Sequence, residues 1–512
     1  MFLDFSRTLE ENLNRNMRSL LLTLAITLSG FLSISQTQGI SYTAVGRGVA
    51  TSFVTDYHTL GINSSALGWG NEYGKNTTMG TTEFNLGFYS DSLNADKLKS
   101  LYRTIRNDIR EENQNPDDWQ QQQQNARDYL ESGIAIDASC NWLGMAYYNK
   151  KLGGIAFNIG EHYNWYSQLG QQASSLIFEG RLSNYFDQLT VVFGTDTTMI
   201  QNNGNISQDT LDAVIEGTAT VPLQLSELTN GSRIKFTWNR HYNIGYGRKI
   251  LGDDSTFAIY GGIGGRFIQS MAMMDVQSDE NGIRAYSAFS PSYNLNYGSV
   301  ASLNPSNFTG GGAIPKPVGT GYGLDFSASA RIGGFLTLSA AVNNIGSVTY
   351  TRNVYTVNDT LVTTFNLTGL EDANVTNSVE NLLEEGGLFT LEGQESYKVT
   401  NAANFRLGGH LDLWKIVKLG IDVVAPFDRD HPGSLANAVY SFGGEVRPIK
   451  WLSLSAGYFG GGIYAHNIPV GINFILGGGT YEFGISSRDA LTFFLDGSNS
   501  ISAAFGFARV RF

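Results

Sequence analysis

The final segment of the chain, residues 500–512, alternates between two kinds of side chain up to its last residue. Counted back in steps of two, one face carries Phe512, Val510, Ala508, Gly506 and Ala504. Arg511 and Arg509 fall on the opposite face, because successive side chains of a strand point to opposite sides. An apolar face toward lipid and a charged face toward a lumen are typical of a transmembrane β-barrel strand. We therefore predict that this segment closes a barrel by pairing with the first strand.

The composition agrees with a barrel and argues against other classes of protein. Outside the N-terminus, no apolar run is long enough for a membrane-spanning helix. The chain has 60 glycines, 25 tyrosines and 30 phenylalanines but only 16% charged residues, which suits short strands and aromatic girdles. Its net charge of −12 argues against a nucleic-acid partner. Cys140 is the single cysteine, so no internal disulfide can form.

Beyond residue 75, alternating segments occur in pairs, with a short turn inside each pair and a long polar connection between pairs. The predicted strands are 77–90, 135–149, 152–163, 233–250, 256–274, 320–332, 335–351, 399–413, 417–426, 436–448, 451–460, 468–475, 480–488 and 500–512. Glycine, aspartate and proline supply the geometry of the short turns. Fourteen is an even number, as single-chain outer-membrane barrels require. With both termini in the periplasm, every short turn falls on that side and every long connection falls outside.

The long connections carry helical signals, so we predict helical extracellular insertions near 91–131, 164–231, 277–318 and 352–398. In the first, Asn115 and Pro116 are a helix cap and a first helical residue. Helical spacing also appears at 169–177, at 210–216 and at 378–385, where Gly386 ends the pattern. These helices could cap the mouth of the barrel, plug its lumen or receive a partner protein.

The N-terminus has the pattern of an export signal. Arg15 and Arg18 precede an apolar run at 20–32 that is too short to span a bilayer, and small residues follow it. We expect residues 1–35 to be a signal peptide that is cleaved after Ser35. Met17 is the more natural start of this segment.

Residues 40–72 do not alternate like a strand and are rich in small side chains. In order along the chain they include Gly46, Gly48, Ala50, Asp56, Asn63, Ala66 and Leu67. This order resembles the hatch of the FadL-like outer-membrane barrels, a group that contains long-chain fatty-acid transporters and PorV-like secretion proteins. That group has proline after the asparagine, whereas this chain has Ser64. Stretches at 321–326 and 467–471 resemble a less characterised branch of such barrels.

The resemblance implies an all-β fold: a fourteen-strand antiparallel transmembrane β-barrel, residues 77–512, with an N-terminal lumen plug, residues 36–76. It also implies that Phe512 is the C-terminal signal for the barrel-assembly machinery. In better-known relatives a bend opens the wall sideways, and the candidates here are Gly261, Gly262, Gly264 and Gly265. Small residues can pack closely against a wall, and irregular backbone at membrane depth is allowed only inside protein or water. The alternative is that residues 40–72 only anchor the N-terminus in the periplasm.

The sequence shows no pattern of catalysis or metal binding. Its six histidines have no metal-ligand spacing, and the cluster from Asp428 to His431 is typical of a solvated turn. No serine occupies a nucleophile elbow. We therefore expect no enzyme activity, no cofactor and no metal.

Two functions from different classes fit these patterns. The first is passage of hydrophobic or amphiphilic small molecules through a plugged barrel in the outer membrane of a Gram-negative bacterium. The second is a non-enzymatic docking barrel for protein secretion or surface attachment. The expected partners are outer-membrane lipid and the barrel-assembly machinery, with hydrophobic small molecules for the first function or secretion-system proteins for the second. A general diffusion porin is disfavoured because a plug would block it.

Overall fold

The computed structural model describes residues 41–93, 96, 116–203, 205–310, 312, 314–366, 390–414, 416–429, 433–435, 437–462, 464–490 and 499–512. The predicted signal peptide, the helix predicted at 378–385 and His431 lie outside these residues.

The described residues form twenty-three strands. They are β1 (Thr77–Ser90), β2 (Ile134–Asn149), β3 (Gly153–Gln168), β4 (Gln188–Phe193), β5 (Asp196–Gln201), β6 (Val214–Gln224), β7 (Arg233–Asp253), β8 (Phe257–Asp279), β9 (Gly282–Phe289), β10 (Gly319–Ile332), β11 (Leu336–Tyr350), β12 (Val354–Val357), β13 (Leu361–Phe365), β14 (Leu391–Gly393), β15 (Tyr397–Thr400), β16 (Asn404–Leu413), β17 (Val417–Pro426), β18 (Val439–Ile449), β19 (Leu452–Gly461), β20 (Tyr464–Asn467), β21 (Val470–Leu476), β22 (Tyr481–Ser487) and β23 (Ser500–Arg511).

Fourteen of these strands close a barrel, and each pairs antiparallel with its two neighbours. In order around the ring they are β1, β2, β3, β7, β8, β10, β11, β16, β17, β18, β19, β21, β22 and β23. The ring closes because β23 pairs with β1 from Thr78 and Arg511 to Tyr89 and Ser500. The predicted all-β, fourteen-strand antiparallel barrel is confirmed. It was predictable because the period-two pattern is strong in these strands.

The two ends of the barrel differ. Six short turns lie at one end, here named the short-turn end, at 149–153, 253–257, 332–336, 413–417, 449–452 and 476–481. The start of β1 and the end of β23 lie at this end too, since the amide of Thr77 donates to the carbonyl of Phe512 at 2.9 Å. Every long connection lies at the opposite, long-loop end.

The described helices are short, and most lie at the long-loop end. They are α1 (Tyr42–Arg47), α2 (Pro116–Ser132), α3 (Gln171–Glu179), α4 (Gln208–Asp212), α5 (Leu225–Leu228) and α6 (Val300–Leu303), with 3₁₀ turns at Asp56–Thr59, Ser64–Trp69 and Pro291–Tyr293. None of the helices in the described residues combines the length and the apolarity needed to cross a membrane.

The insertions at the long-loop end contain more strand than the sequence predicts. Helices α2 and α3 lie where helical spacing predicts them, but the helix predicted at 210–216 is wrong beyond Asp212 because β6 begins at Val214. A separate four-stranded sheet has the order β13-β6-β4-β5. It buries Phe186, Leu189 and Leu225 completely. A buried face of its own allows this sheet to form outside the barrel wall.

The outer surface of the wall is apolar on every strand. Each of the fourteen strands has at least one exposed large apolar side chain. In ring order, examples are Leu86, Trp142, Ile155, Ile244, Ile263, Leu324, Leu338, Leu407, Ile421, Phe442, Leu454, Ile472, Ile485 and Phe507. A soluble protein rarely exposes so large a continuous apolar surface. A band of this kind around a closed ring is the lipid-facing surface of a membrane-spanning barrel.

The side chains of the closing strand β23 do not all point to the faces that the sequence predicts. Arg509 faces the lumen as predicted and is 4% exposed, but Ala504 and Gly506 face the lumen as well. The cause is a register shift against β22 between the pairs made by Arg509 and Gly506. The extra residue of β23 there is a β-bulge, so the side chains that precede it in the chain point to the faces opposite to those predicted.

The seam between β1 and β23 generates a prediction about Phe512. Its backbone exchanges hydrogen bonds with Thr77 at 2.9 and 3.0 Å, and its carbonyl also accepts from Asn76 at 3.2 Å. Deleting Phe512 removes these bonds at the last step of closure, each with a net value of about 1 kcal/mol. We expect a large fall in the amount of heat-modifiable barrel on unheated gels. The control is Phe507→Ala, which removes a lipid-facing ring but no seam bond, and equal amounts for both variants would contradict the prediction.

Candidate functional site

Residues 41–72, here named the hatch, contact every strand of the barrel. One wall residue from each strand, in ring order, illustrates this: Glu83, Gly144, Gly154, Gly247, Gly262, Ser327, Asn343, Gly408, Asp422, Glu445, Gly457, Gly471, Ser486 and Arg509. A segment that contacts all members of a closed ring lies inside the ring. The hatch therefore occupies the lumen.

Local sequence chemistry shapes the first part of the hatch. Helix α1 begins after Ser41, whose hydroxyl accepts a hydrogen bond from the amide of Ala44. It ends at Gly48, which has φ of +72° and donates back to two carbonyls of the helix. Glycine adopts this left-handed conformation without the strain that a Cβ would cause.

The other predicted hatch residues also make specific contacts. Ala50 donates its amide hydrogen to Asp422 at 2.9 Å, and Asn63 donates to the carbonyl of Thr51 at 2.7 Å. Ala66 and Leu67 are 1% and 3% exposed. Ala50 thus holds the hatch to the wall, and Asn63 holds one part of the hatch to another.

Wall glycines let the hatch backbone approach the barrel backbone. A Cβ on Gly262 would overlap the backbone of Ser65, and a Cβ on Gly443 would overlap the carbonyl of Arg47. On the hatch side, a Cβ on Gly46 would lie 2.8 Å from the Cα of Gly471. Glycine inside a strand often marks such a close backbone approach.

Two of the four glycines predicted as a wall bend lie against the hatch. Gly262 and Gly264 face Ser64 and Ser65 of the hatch, whereas Gly261 and Gly265 do not contact it. Strand β8 keeps a continuous register with β10 through all four. Its neighbour β10 shifts register against β11 between Leu324 and Phe326, which pair with Gly265 and Ile263 of β8. Room for the hatch therefore accounts for Gly262 and Gly264, and an opening of the wall at this point stays a prediction.

Buried carboxylates of the wall bind the hatch. Glu83 is completely buried and accepts hydrogen bonds from the Tyr57 hydroxyl at 2.7 Å and from Asn141 at 2.8 Å, and the ring of His58 lies 2.9 Å away. Asp422 accepts the amide hydrogens of Ala50 and its neighbour. Burial and the nearby Glu83 raise the pKa of the Tyr57 hydroxyl well above its usual value, so it remains a donor.

A chain of ion pairs joins the start of the hatch to its end. Arg47 lies 2.6 Å from Glu445 of β18, Glu445 lies 2.9 Å from Arg447, and Arg447 lies 2.6 Å from Glu72. Burial opposes ionisation of Glu72, but Lys418 and Arg447 outweigh it and lower the pKa of this carboxyl to about 2. Glu72 is therefore a charged partner throughout the physiological pH range.

A second ion-pair group fixes the middle of the hatch to the closing strand. The carboxylate of Asp56 lies 2.6 Å from the guanidinium of Arg509, which lies 3.3 Å from Glu482 of β22. Arg511 completes the group by pairing with Glu482. Buried charges of this kind are stable only when each has a close partner.

Two cavities of the lumen lie on opposite sides of the hatch among the described residues. The long-loop cavity has a volume of about 160 Å³, and the short-turn cavity has about 220 Å³. Within the described residues they share no lining residue. Hatch residues that line neither cavity, such as Thr51 and Asn63, are completely buried.

The long-loop cavity has polar and apolar walls. Its lining includes asparagines, histidines and two arginines, among them Asn158, Asn239, His162 and His241. It also includes the apolar side chains of Ile268, Val348, Val399, Val424 and Leu435. Among the described residues, no cluster of three or more potential metal-ligating side chains was found.

Sequence reasoning missed the wall residues that bind the hatch, chiefly Glu83, Asp422 and Glu445. A signal was present, because each is an acidic residue at an inward position of an alternating strand. An acid facing a lumen that also holds a hatch needs a buried partner.

A closed, lipid-facing barrel with residues 41–72 of the same chain in its lumen defines a plugged β-barrel membrane protein. The chain belongs to a family of unknown function (DUF5723), whose sequence model matches residues 78–480. The matched residues extend from β1 to the turn before β22 and do not contain the hatch. No curated protein matches the chain.

Several solved structures are similar over most of their length. A TodX monoaromatic hydrocarbon channel with a deltaS2S3 mutation is 10% identical over 93% of this chain and 99% of its own, with a TM-score of 0.46. The CymD monoaromatic hydrocarbon channel is 8% identical over 93% and 98%, with a TM-score of 0.44. A FadL homologue of Pseudomonas aeruginosa is 10% identical over 93% and 98%, with a TM-score of 0.37. The last of these belongs by its description to the group that the sequence resembles.

The neighbouring glycines Gly262 and Gly261 provide a matched test of the hatch contact. We expect Gly262→Ala to displace the hatch, because the new methyl group overlaps Ser65. The loss of stability should be about 1–3 kcal/mol, as for other overpacked sites. Gly261→Ala should have little effect, since its Cβ would meet only the Ile250 side chain at 3.4 Å. Thermal unfolding and ion conductance in planar bilayers measure the two effects, and identical behaviour of the two variants would contradict the contact.

Proposed function

We propose that this protein is an outer-membrane channel that passes small amphiphilic molecules when its hatch moves. One observation supports this most strongly: two cavities lie on opposite sides of a single buried hatch. A purely structural plug would fill the lumen without leaving a cavity large enough for a ligand on each side. Passage between the cavities requires the hatch, rather than the wall, to change position.

The lining of the long-loop cavity favours amphiphiles over pure hydrocarbons. Its polar part offers asparagine and histidine side chains, and its apolar part offers Val399, Val424 and Leu435. A molecule with one polar end and one apolar end could contact both parts. Transferring a pure hydrocarbon there would leave buried polar groups without partners, which is costly.

A shift of part of the hatch is the favoured movement. Removing all of it would separate several buried ion pairs at once, and each charge left buried without a partner costs several kcal/mol. The second part, around the turn at Ser64–Trp69, is held by neutral hydrogen bonds and glycine contacts. Neutral bonds are weaker than charged ones, so this part should move first.

A reversible disulfide between the hatch and the wall tests the proposal. The hydroxyl oxygens of Ser65 and of Ser329 in β10 are 2.8 Å apart, close enough for cysteine sulfurs to bond at about 2.0 Å. The variant is Ser65→Cys with Ser329→Cys, in a Cys140→Ala background that has no other thiol. We expect oxidation to stop, and reduction to restore, the entry of 8-anilinonaphthalene-1-sulfonate into proteoliposomes that contain serum albumin.

The two single-cysteine variants are the matched controls, because oxidation should not change their rates. The proposal fails if the cross-linked and reduced proteins admit the probe at the same rate. It also fails if protein-free liposomes and proteoliposomes show equal rates.

A docking function is the second candidate, and the separate sheet at the long-loop end favours it. Phe193, Met199 and Val221 of this sheet are 53%, 58% and 76% exposed. Apolar side chains on a small exposed sheet can bind another protein. Affinity purification from outer membranes should then recover a stoichiometric partner that is lost in a triple alanine variant of these residues. Recovery of the same proteins with both forms would count against docking.

The remaining assignments belong to the same proposal. The protein would have no enzymatic activity and no cofactor, and it would contact outer-membrane lipid through its apolar band. The barrel-assembly machinery would recognise Phe512 at the end of the closing strand.

A further inference from the structure

The long-loop cavity contains a buried arginine with a free donor. Arg406 of β16 lines this cavity and is only 3% exposed. Its Nε donates weakly to Asn404 at 3.3 Å, and its Nη1 has no hydrogen-bond partner. Within the described part of the chain it forms no ion pair. A buried guanidinium in this state has unused capacity for a bidentate bond to an oxyanion.

The carboxylates nearest to Arg406 already have other partners. Asp325 receives two hydrogen bonds from Arg266 at 2.8 Å and a third from the amide of Asn344 at 2.7 Å. One oxygen of Asp422, Oδ2, receives two amide hydrogens of the hatch, whereas its Oδ1 has no hydrogen-bond partner. Both carboxylates act on Arg406 through space, yet neither is within 4 Å of its guanidinium. Arg406 therefore lines the cavity without a direct bond to a wall acid.

Further donors face the same cavity. The Nε of Arg266 has no hydrogen-bond partner, and neither ring nitrogen of His241 has one. The His241 ring packs on the His162 ring with centroids 4.3 Å apart, which fixes its position. His241 is 8% exposed, so its ring nitrogens are also buried. Several buried donors around one cavity form a built site, because each would otherwise remain unsatisfied.

The charge of the lumen differs from that of the whole chain. The chain has a net charge of −12. In the described residues, the lining of the long-loop cavity contains two arginines and one glutamate. The lining of the short-turn cavity contains six lysine and arginine residues and four acids. Clefts lined by an excess of one sign of charge concentrate ligands of the opposite sign.

We infer that the long-loop cavity binds the oxyanion group of a small molecule, a carboxylate or a phosphate, through Arg406. The inference rests on the proposed passage function and gives the amphiphile a negative charge at its polar end. Arg266 and His241 contribute further hydrogen bonds to the same group. The apolar side chains of the cavity contact the remainder of the molecule.

Binding to the purified full-length protein in a neutral detergent tests the inference. The probes are octyl phosphate, inorganic phosphate, acetate and 1-octanol, and isothermal titration gives the affinities. We expect octyl phosphate to bind at least about tenfold more tightly than 1-octanol, the ratio that a charged hydrogen bond provides. Binding of inorganic phosphate or acetate would show that the free oxyanion suffices, and binding of octyl phosphate alone that the tail is needed; either result supports the site.

Variants assign the binding to Arg406. Arg406→Gln should lower the affinity for octyl phosphate about tenfold or more, and Arg406→Lys should keep part of it. Arg352→Gln is the matched control, because Arg352 is exposed at the long-loop end and does not line the cavity. Heat-modifiability shows that each variant forms a barrel.

Two results would overturn the inference. One is equal affinity of the unmodified protein for octyl phosphate and 1-octanol, which needs no variant. The other is unchanged affinity in a folded Arg406→Gln protein. The outcome is separate from that of the disulfide experiment: binding without hatch-dependent entry would reject the passage function alone, and entry without anion preference would reject only this site.

Discussion

The pairing of buried wall charges with the hatch is the constraint on which the rest of the structure depends. Glu83 and Asp422 are buried in the lumen, and both accept hydrogen bonds from donors of the hatch. Arg47 is a buried charge of the hatch, and its guanidinium pairs with Glu445 of the wall. Separating these groups would leave ions buried without partners. Wall and hatch are therefore stable only together, and any opening has to preserve most of these bonds.

The alternation of side chains along each wall strand serves packing against lipid on one face and against the hatch on the other. Its outward positions carry large apolar side chains for lipid, whereas many inward positions carry glycine. Glycine weakens an isolated strand because it has no side chain to pack. Here the hatch backbone occupies the space of the missing side chain, as Ser65 does at Gly262. The loss of packing within the sheet is offset by contacts with the hatch.

The barrel could be predicted from the sequence, whereas the contacts of the hatch could not. Period-two alternation located β1 and β17 to the residue, because one face of each strand meets lipid. The same pattern failed at Gly506, since a β-bulge changes the phase and has no sequence signal of its own. Gly262 and Gly264 were interpreted as a bend, because glycine in a strand indicates either a bulge or a close approach. Only the position of the hatch in space distinguishes the two, and that position depends on residues far apart in sequence.

The sequence distances across the hatch contacts have a consequence for assembly. Arg47 meets Glu445 across 398 residues, and Asp56 meets Arg509 across 453. The hatch precedes every wall strand in the chain, yet it receives some of its partners from the last strands to be synthesised. A finished, closed cylinder could not admit a segment that packs this tightly against every strand, so the wall has to fold around it. Slow folding is expected for contacts of such long sequence separation. Until β23 joins β1, Asp56 lacks Arg509, its partner in the closed barrel.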